Sequence, residues 1–400
     1  MMQTANNFSV SRYAPQKGTL ARLTARDSVL RRLDWPILLS ALGLSLTGAL
    51  LVWSATRHRD TLNQGDPQYF LWRHLLNTGI GLVLMIGTVL LGHRNLRGAV
   101  PVLYGLSLVL VTAVLTPLGA TINGAHAWIV IGGGFSLQPS EFVKVTIILV
   151  MAMLLAARVD AGDLEHPEHR TVVKALCLAA APMGIVMLMP DLGSVMVMVV
   201  IVLGVLLASG ASNRWVLGLM GAGTAGALLI WQLGVLDQYQ INRFAAFANP
   251  ELDPSGAGYN TNQARIAIGG GGLTGSGLFK GPQTTGQFVP EQQTDFVFTV
   301  AGEELGFVGG ILILGLLGVV LWRACMIARA TTELYGTIVA AGIIAWFAFQ
   351  AFENIGMNLG IMPVAGLPLP FVSYGGSSMF AVWVAIGLLQ SIKVQRPLSA

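Results

Sequence analysis

The sequence has few charged side chains and only two cysteines. Asp, Glu, Lys and Arg make up 10% of its 400 residues, whereas about 25% of an ordinary soluble domain is charged. So few charges exclude a soluble globular protein, a disordered chain and a nucleic-acid-binding domain. Cys177 and Cys325 are too few for a disulfide framework or a zinc site, and we expect both to be buried free thiols.

Apolar residues and glycine are abundant instead. Hydrophobic residues make up 54% of the chain, and its 49 glycines suit closely packed membrane helices. A membrane-spanning helix needs about 20 mostly apolar residues. The sequence therefore predicts an all-α polytopic integral membrane protein with about ten transmembrane helices. They cover about residues 36–56, 73–92, 98–118, 139–157, 174–189, 192–209, 215–234, 296–322, 334–357 and 372–392.

The basic residues predict the orientation of these helices. Sixteen of the 23 Lys and Arg residues lie in the two tails and in the loops after the even-numbered helices, and six lie in the other loops. The positive-inside rule then places both termini in the cytoplasm. We expect a flexible, basic cytoplasmic tail (1–34) that is not a cleaved signal peptide, a transmembrane domain (35–393) and a short cytoplasmic tail (394–400).

One long extracytoplasmic loop, about residues 235–295, lacks an apolar run of spanning length. Such a loop among short ones is usually functional, so any chemistry should face outward. Its residues Gly270 to Gly275 fit G-x-G-x-x-G, with Asp295 twenty residues later. No buried strand precedes them, as a dinucleotide site requires. These glycines more simply predict a sharp backbone turn and close approach to another surface.

Ionisable residues inside spans are costly and are therefore functional candidates. Glu141 and Lys144, in QPSEFVK, share one helix face and form either an internal ion pair or a polar wall of an outward-opening cavity. Asp191 follows Pro190 and either caps the sixth helix or lines a site. Glu353 in the ninth helix is either a packing acid or a cavity acid.

The run TDFVFTVAGEELGFVGG (294–310) carries three further acids. Asp295 begins a span, where it is either a helix-capping acid or a functional group at the outer mouth. Glu303 and Glu304 lie about two turns deeper, as structural or cavity acids.

Five stretches resemble, in family order, the motifs of the SEDS family of bacterial shape, elongation, division and sporulation proteins (RodA, FtsW and SpoVE). The resemblance covers about residues 34–393. The wording of PVAGLPLPFVSYGGSS and QPSE is most similar to the elongation (RodA) branch. Gln293 departs from the many relatives that carry His before the Thr-Asp pair. The five stretches are NGAHAWIVIGGGFSLQPSEFVK (123–144), PDLG (190–193), GYNTNQARIAIGGGGLTGSGLFKG (258–281), PEQQTDFVFTVAGEELGFVGG (290–310) and NIGMNLGIMPVAGLPLPFVSYGGSS (354–378).

The resemblance implies a peptidoglycan glycosyltransferase in the bacterial cytoplasmic (inner) membrane. Such an enzyme polymerises lipid II on the outer face of the membrane, in cell-wall elongation and shape maintenance. Its substrates are lipid II and undecaprenyl-pyrophosphate-linked glycan. Its partners are a class B penicillin-binding protein, the transpeptidase, and other elongation or division machinery.

Asp295 matches the TDF acid of the family, so the resemblance implies that it is the general base for the attacking sugar hydroxyl. Cationic candidates would face the leaving pyrophosphate, Tyr239 and Gln240 could contact sugar, and Trp128 is either a sugar platform or an interfacial aromatic. A divalent cation (Mg²⁺ or Mn²⁺) is compatible with this chemistry, although no ligand cluster requires one. The substrate-binding candidates are Arg243, Arg265, Lys144, Glu141, Trp128, Tyr239 and Gln240.

Other functions stay open from the sequence: a lipid II flippase or other transporter, a non-catalytic scaffold, and the division or sporulation paralogue. Transport predicts internal repeats and a midplane site, and no clear repeat is present. A transpeptidase helix would dock against small residues, for which the last two spans offer Gly342, Gly356, Gly360, Gly366 and residues 375–378, unless these serve internal packing.

Overall fold

The computed structural model describes residues 29–122, 125–132, 135–189, 191–232, 234 and 256–395. The chain divides into two compact units, Met1–Leu33 and Asp34–Ala400. The described element of the first unit is the helix α1 (Val29–Arg32). The described elements of the second are α2 (Trp35–Thr56), α3 (Asp60–Asn63), α4 (Tyr69–Leu91), α5 (His93–Ala113), β1 (Gly119–Ile122), β2 (Ala125–Gly132), β3 (Phe135–Leu137), α6 (Pro139–Asp160), α7 (His169–Met187), α8 (Leu192–Ala208), α9 (Asn213–Gln232), α10 (Ala257–Gly270), α11 (Pro282–Thr285), α12 (Val297–Val300), α13 (Gly306–Ala330), α14 (Leu334–Leu359) and α15 (Gly376–Val394).

The architecture is that of a polytopic helical membrane protein, as predicted. Among the described residues, eight helical stretches are long and apolar enough to span a membrane: α2, α4 to α7, the stretch Val297–Ala330, α14 and α15. The apolar α8 is shorter, with 17 residues, and α9 occupies the position of the predicted seventh span. Local signals set several helix starts. Pro139 begins α6, and Asp191 caps α8 by accepting a bond from Ser194 N at 3.0 Å.

A small antiparallel sheet between α5 and α6 was not predicted. Its strand order is β1-β2-β3, with Ala120 opposite Trp128 and Leu137 opposite Ile129. Because α5 ends at Ala113, the predicted third span, 98–118, ran too far toward these strands.

Glycines and large aromatic residues interlock in the helix bundle. Trp383 of α15 is fully buried, and its Cδ1 lies 2.5 Å from where a Cβ on Gly81 of α4 would stand. A Cβ on Gly342 of α14 would lie 2.8 Å from Ile148 of α6. The hypothesis that Gly342 faces a partner helix is therefore wrong, since this glycine packs inside the bundle.

Among the other glycines of the same hypothesis, Gly356 is buried, Gly360 and Gly375 are half-buried, and Gly366 is exposed. A Cβ on Gly356 would approach Met362, one on Gly360 would approach Arg265, and one on Gly375 would approach Ser378. Internal packing therefore accounts for Gly356, and the partner contact of the exposed Gly366 stays a prediction.

The cysteine prediction was partly wrong. Both residues are free thiols, but Cys177 is exposed on α7 rather than buried, and Cys325 is half-buried.

Asp34 ties three helices together at one end of the bundle, here called the Asp34 end. Its fully buried carboxylate accepts hydrogen bonds from Arg323 Nη2 of α13 at 2.5 Å and from Lys393 Nζ of α15 at 2.8 Å. Its backbone N–H donates to Gln390 Oε1 at 2.8 Å, and its carbonyl accepts from Gln390 Nε2 at 3.0 Å. Burial would raise the pKa of the Asp34 carboxyl, but Arg323 and Lys393 outweigh burial and hold the pKa below its usual 3.8.

Asp34→Asn should lower the free energy of unfolding by about 3 kcal/mol, because it leaves two cations without their shared carboxylate. A carboxyl whose pKa is lowered on folding stabilises the folded state above its unfolded pKa, and this contribution is lost as the pH falls through the folded pKa. Wild-type protein in detergent should therefore lose melting temperature as the pH falls below 3.8, and Asp34→Asn should lose less. The matched control is Glu165→Gln, an exposed acid in the loop after α6, which should retain the wild-type pH dependence. Parallel pH curves for Asp34→Asn and wild type would contradict the role of Asp34.

Candidate active site

Asp295 lies half-buried in the turn formed by residues 291–296, directly before α12. Its backbone N–H donates to Glu291 O at 3.1 Å, and Glu291 has a left-handed φ of 49°. The N-cap residue of α12 is Phe296. Asp295 thus precedes the cap position, and its carboxylate stands on a tight turn at the end of the bundle opposite Asp34, here called the Asp295 end.

The carbonyls before Asp295 are held by the segment that precedes α15. Gln293 O accepts the backbone N–H of Tyr374 at 2.8 Å, and Thr294 O accepts the Ser373 hydroxyl at 2.5 Å. Residues 293 and 294 are therefore fixed to the last loop of the chain.

The carbonyl of Asp295 itself is held by α14. It accepts Asn354 Nδ2 at 2.8 Å and Asn358 Nδ2 at 3.0 Å. Asn354 also donates to Leu367 O at 2.7 Å, so the same amide binds the turn and the loop after α14. Three consecutive carbonyls are thus satisfied by donors from two directions, which fixes the backbone that carries the Asp295 carboxylate.

The long loop predicted at about 235–295 contains a helix, α10, that was not predicted from the sequence. Ala264 of α10 is fully buried and clusters with Val289 and Phe296, with Val364 packed against them. The signal was present in the sequence, since Thr261, Ala264 and Ala267 recur at helical spacing and are all buried. Through Phe296, α10 packs beside the Asp295 turn.

Arg265 lies next to Ala264 on α10 and is exposed. Its Nε donates to Leu359 O at 3.2 Å, at the C-terminal end of α14. The loop that begins at Gly360 returns to Gly366, where a Cβ would stand 3.5 Å from Asp295 Oδ2. The short loop 360–366 therefore links Arg265, the predicted cation, to Asp295, the predicted base.

Three other predicted substrate residues, Tyr239, Gln240 and Arg243, lie outside the described residues.

Glu141 and Lys144 form a buried ion pair within α6. Lys144 Nζ lies 2.7 Å from Glu141 Oε1, with side-chain exposures of 0% and 1%. The ammonium also donates to Gln350 Oε1 at 3.1 Å and lies 5.0 Å from the centre of the Trp346 ring. Gln350 Nε2 donates to Pro368 O at 2.7 Å, in the loop that contacts the Asp295 turn. This geometry favours the ion-pair alternative over a cavity wall.

Asp191 joins two helix starts at the Asp295 end. Besides capping α8, its carboxylate accepts Gln138 Nε2 and Ser140 Oγ, both at 3.3 Å. Asp191 therefore makes the capping contact that the sequence predicted.

The eighth span is broken by a π-helical turn at Ala301–Leu305, followed by Gly306 with a φ of 66°. Backbone groups freed by such a break need partners inside a membrane. The glycine-rich segment after α10 provides them through Ser276 N to Glu303 O (2.9 Å), Gly277 N to Glu304 O (3.1 Å), Phe307 N to Gly272 O (2.9 Å) and Val308 N to Leu273 O (3.1 Å).

This contact requires glycine. A Cβ on Gly271 would lie 1.9 Å from Gly302 O, and one on Gly275 would lie 2.1 Å from Glu304 O. The glycine-rich segment that contains the G-x-G-x-x-G match therefore makes a close backbone contact, as the sequence predicted.

The remaining predicted acids are buried. Glu304 Oε1 accepts the Ser54 hydroxyl at 2.6 Å, and Glu303 accepts hydrogen bonds from α11. Glu353 is fully buried in α14, one residue before Asn354.

Comparisons with known proteins identify the family. Residues 35–397 match the FtsW, RodA and SpoVE family of cell cycle proteins. This protein belongs to that family, the SEDS family. It is 37% identical to stage V sporulation protein E of Bacillus subtilis, over 90% of this chain and 96% of that protein. It is 35% identical to the peptidoglycan glycosyltransferase MrdB of Escherichia coli K12, over 91% and 94% of the two chains.

Two solved structures share the fold. A chain of a peptidoglycan synthase complex matches with a TM-score of 0.72 and 31% identity, over 90% of this chain and 97% of that chain. The rod shape determining protein RodA of Thermus thermophilus matches with a TM-score of 0.65 and 30% identity, over 90% and 96% of the two chains.

The SEDS motifs that are far apart in sequence are joined by hydrogen bonds at the Asp295 end. The second motif contacts the first through Gln138 Nε2 to Asp191 Oδ2. The first contacts the fifth through Gln138 N to Ser377 Oγ. The fifth contacts the fourth through Asn354 Nδ2 to Asp295 O, and the third contacts the fourth through Ser276 N to Glu303 O. The motifs of this SEDS protein therefore build one polar region around the Asp295 turn.

Arg73 of α4 belongs to the same region and was not among the predicted site residues. Its guanidinium lies 4.6 Å from the centre of the Tyr69 ring and 5.4 Å from that of Phe135. Burial raises the pKa of the Tyr374 hydroxyl, and a hydrogen bond from Arg73 opposes that rise. A cation at the end of an apolar run was the available signal.

Trp128 lies in β2 and is half-buried, which leaves both its alternatives open. Among the described residues of this SEDS protein, no group of three or more His, Cys, Asp or Glu side chains is arranged to hold a metal ion. We therefore assign no chemical step to Mg²⁺ or Mn²⁺.

Proposed function

We propose that this SEDS protein is a peptidoglycan glycosyltransferase that polymerises lipid II on the outer face of the bacterial cytoplasmic membrane. The observation that carries the proposal is the Asp295 carboxylate on a turn whose carbonyls are fixed by Tyr374, Ser373, Asn354 and Asn358. The relatives named peptidoglycan glycosyltransferase, which align over 91% of this chain, support it.

The proposed reaction has one proton transfer and one leaving group. The GlcNAc 4-hydroxyl of one substrate attacks C1 of the MurNAc of another, and Asp295 accepts the hydroxyl proton. Undecaprenyl pyrophosphate leaves as the glycosidic bond forms. Arg265 provides positive charge beside the turn for the departing pyrophosphate, and Arg243, Tyr239 and Gln240 remain candidates for substrate contact.

The hydrogen bonds to residues 293–295 hold the backbone of the proposed catalytic base in place. A carboxylate held in place loses little conformational entropy when the substrate arrives, and small displacements of such a group are costly. Asp295 also lies at one end of the helices rather than near their middle, which favours an enzyme over a transporter with a midplane site.

We propose the elongation role within the family, on the wording of PVAGLPLPFVSYGGSS (363–378) and of residues 138–141. The alternative is the division or sporulation role, and relatives of both kinds are similar. Restoration of rod shape, but not of division or sporulation, in cells depleted of each paralogue in turn would support elongation.

We propose a class B penicillin-binding protein as the partner, together with other elongation machinery. The structural similarity to a chain of a peptidoglycan synthase complex that coordinates polymerization and crosslinking supports this partner.

The deciding experiment is polymerisation in vitro. The protein is purified with its transpeptidase partner, mixed with labelled lipid II, and the products are separated by size. We expect glycan strands that form when the transpeptidase site is blocked by a β-lactam. Unchanged lipid II would refute the proposed activity, and movement of lipid II across vesicle membranes without polymer would favour the flippase.

The proposed orientation places residue 256 outside and residue 162 in the cytoplasm. In a chain with Cys177 and Cys325 replaced by Ser, a cysteine at Gly256 should react with a membrane-impermeant thiol reagent on intact spheroplasts. A cysteine at Gly162, in the loop after α6, should react only after permeabilisation. The reverse pattern would overturn the positive-inside assignment and place the Asp295 end in the cytoplasm.

A further inference from the structure

Glu303 lies in the π-helical turn of the eighth span, eight residues beyond Asp295, and 1% of its surface is exposed. Its carboxylate accepts three hydrogen bonds from α11. Gln283 N donates to Oε1 at 2.6 Å, Thr284 N donates to Oε2 at 2.9 Å, and the Thr284 hydroxyl donates to Oε2 at 2.6 Å. The chemistry proposed above makes no use of this acid.

The contacts continue from α11 toward the Asp295 turn. Gln292 is fully buried, and its Nε2 donates to the Thr284 hydroxyl at 3.3 Å and to the Thr299 hydroxyl at 3.4 Å. One amide therefore connects α11, the start of the 291–296 turn and the helix α12 that follows it. Along the chain, Asp295 lies between Gln292 and Thr299, the two residues that this amide joins.

The Thr284 hydroxyl can serve both contacts because a hydroxyl donates one hydrogen bond and also accepts. With Glu303 as its acceptor, its lone pairs face the Gln292 amide. Replacing the Glu303 carboxylate by an amide puts an NH₂ group near donors and removes this orientation.

We infer that Glu303 is a positioning residue, which holds the Asp295 turn in its reactive arrangement through Thr284 and Gln292. The inference rests on the proposed glycosyltransferase function and deepens it. The carbonyls of the turn are bound by α14 and the last loop, and the Glu303 contacts brace the same turn from within its own span.

The test compares Glu303→Gln with Glu304→Gln. Glu304 is equally buried and adjacent, but its side chain contacts Ser54 and Gly281 rather than Thr284. In the lipid II assay with the transpeptidase partner present, Glu303→Gln should lower kcat about tenfold and leave KM and the melting temperature close to wild type. Glu304→Gln should retain most of kcat. Equal losses of kcat in the two variants, or a loss in Glu303→Gln that follows its melting temperature, would overturn the inference.

A double-mutant cycle checks the route. Thr284→Val removes the hydroxyl and should lower kcat by a similar factor, and the double variant should be no slower than the worse single variant. Additive losses would mean that Glu303 acts by another route and would overturn the inference.

Hydrogen exchange separates this inference from the proposed function. Glu303→Gln should increase amide exchange in residues 283–296 relative to Glu304→Gln, whether or not the protein polymerises lipid II. Unchanged exchange there would refute the positioning role, whereas absence of polymer from the wild-type protein would refute only the proposed function.

Discussion

Asp295→Asn should lower the rate of lipid II polymerisation by about 10²-fold or more, because the amide cannot accept the proton of the attacking hydroxyl. The substitution should leave the fold intact. Tyr374, Ser373, Asn354 and Asn358 bind the backbone of residues 293–295 rather than the Asp295 carboxylate. Expression, melting temperature and co-purification with the transpeptidase should therefore match wild type.

The control for Asp295 is Asp66→Asn. Asp66 is an exposed acid in the loop between α2 and α4, where its carboxylate accepts a local bond from Gln68 N at 2.9 Å. This variant should polymerise lipid II at the wild-type rate. Near-wild-type polymer from Asp295→Asn would remove Asp295 from the base role.

Breaking the Glu141–Lys144 pair on one side should cost about 3–5 kcal/mol of folding free energy, because it leaves a buried charge without its partner. Glu141→Gln and Lys144→Met should each lower the melting temperature and the folded yield. The double variant should recover much of both, since no charge is then left alone in the bundle.

Activity of the double variant separates the two alternatives for this pair. Both side chains are fully buried. If the pair serves only helix packing, the folded double variant should retain polymerisation within about tenfold of wild type. A stable but inactive double variant would show that the pair lines the substrate cavity. The activity must be measured on folded protein, with melting temperature recorded on the same sample.

The helices could be predicted from the sequence because lipid imposes a strong pattern on them. A spanning helix must be apolar over about 20 residues, and Pro139 and Asp191 mark two of the starts. The strands β1 to β3 were not predicted, because the apolar sequence of α5 continues past Ala113 into the strands. The dipeptide Asn123-Gly124, between β1 and β2 in the sequence, is a strong hairpin signal.

The candidate site could be predicted only in part. Asp295 was found because an acid at the mouth of an apolar run is costly and carries a family motif. The residues that fix its turn were not found. Asn354 and Asn358 lie 59 and 63 residues away along the chain, and amides that bind backbone carbonyls leave no periodic pattern. Their role becomes visible only when the fold brings α14 to the turn.

The contacts of Asp34 have a consequence for the order in which the protein can be assembled. The residue opens the first span, yet the Gln390 that binds its backbone is made 356 residues later. At about 5–20 residues per second, the ribosome needs roughly 20–70 seconds to reach it. During synthesis the first span must therefore wait in the membrane with a carboxylate whose final partners do not yet exist. We expect release of the last span from the translocation machinery, rather than insertion of the first, to complete the native bundle.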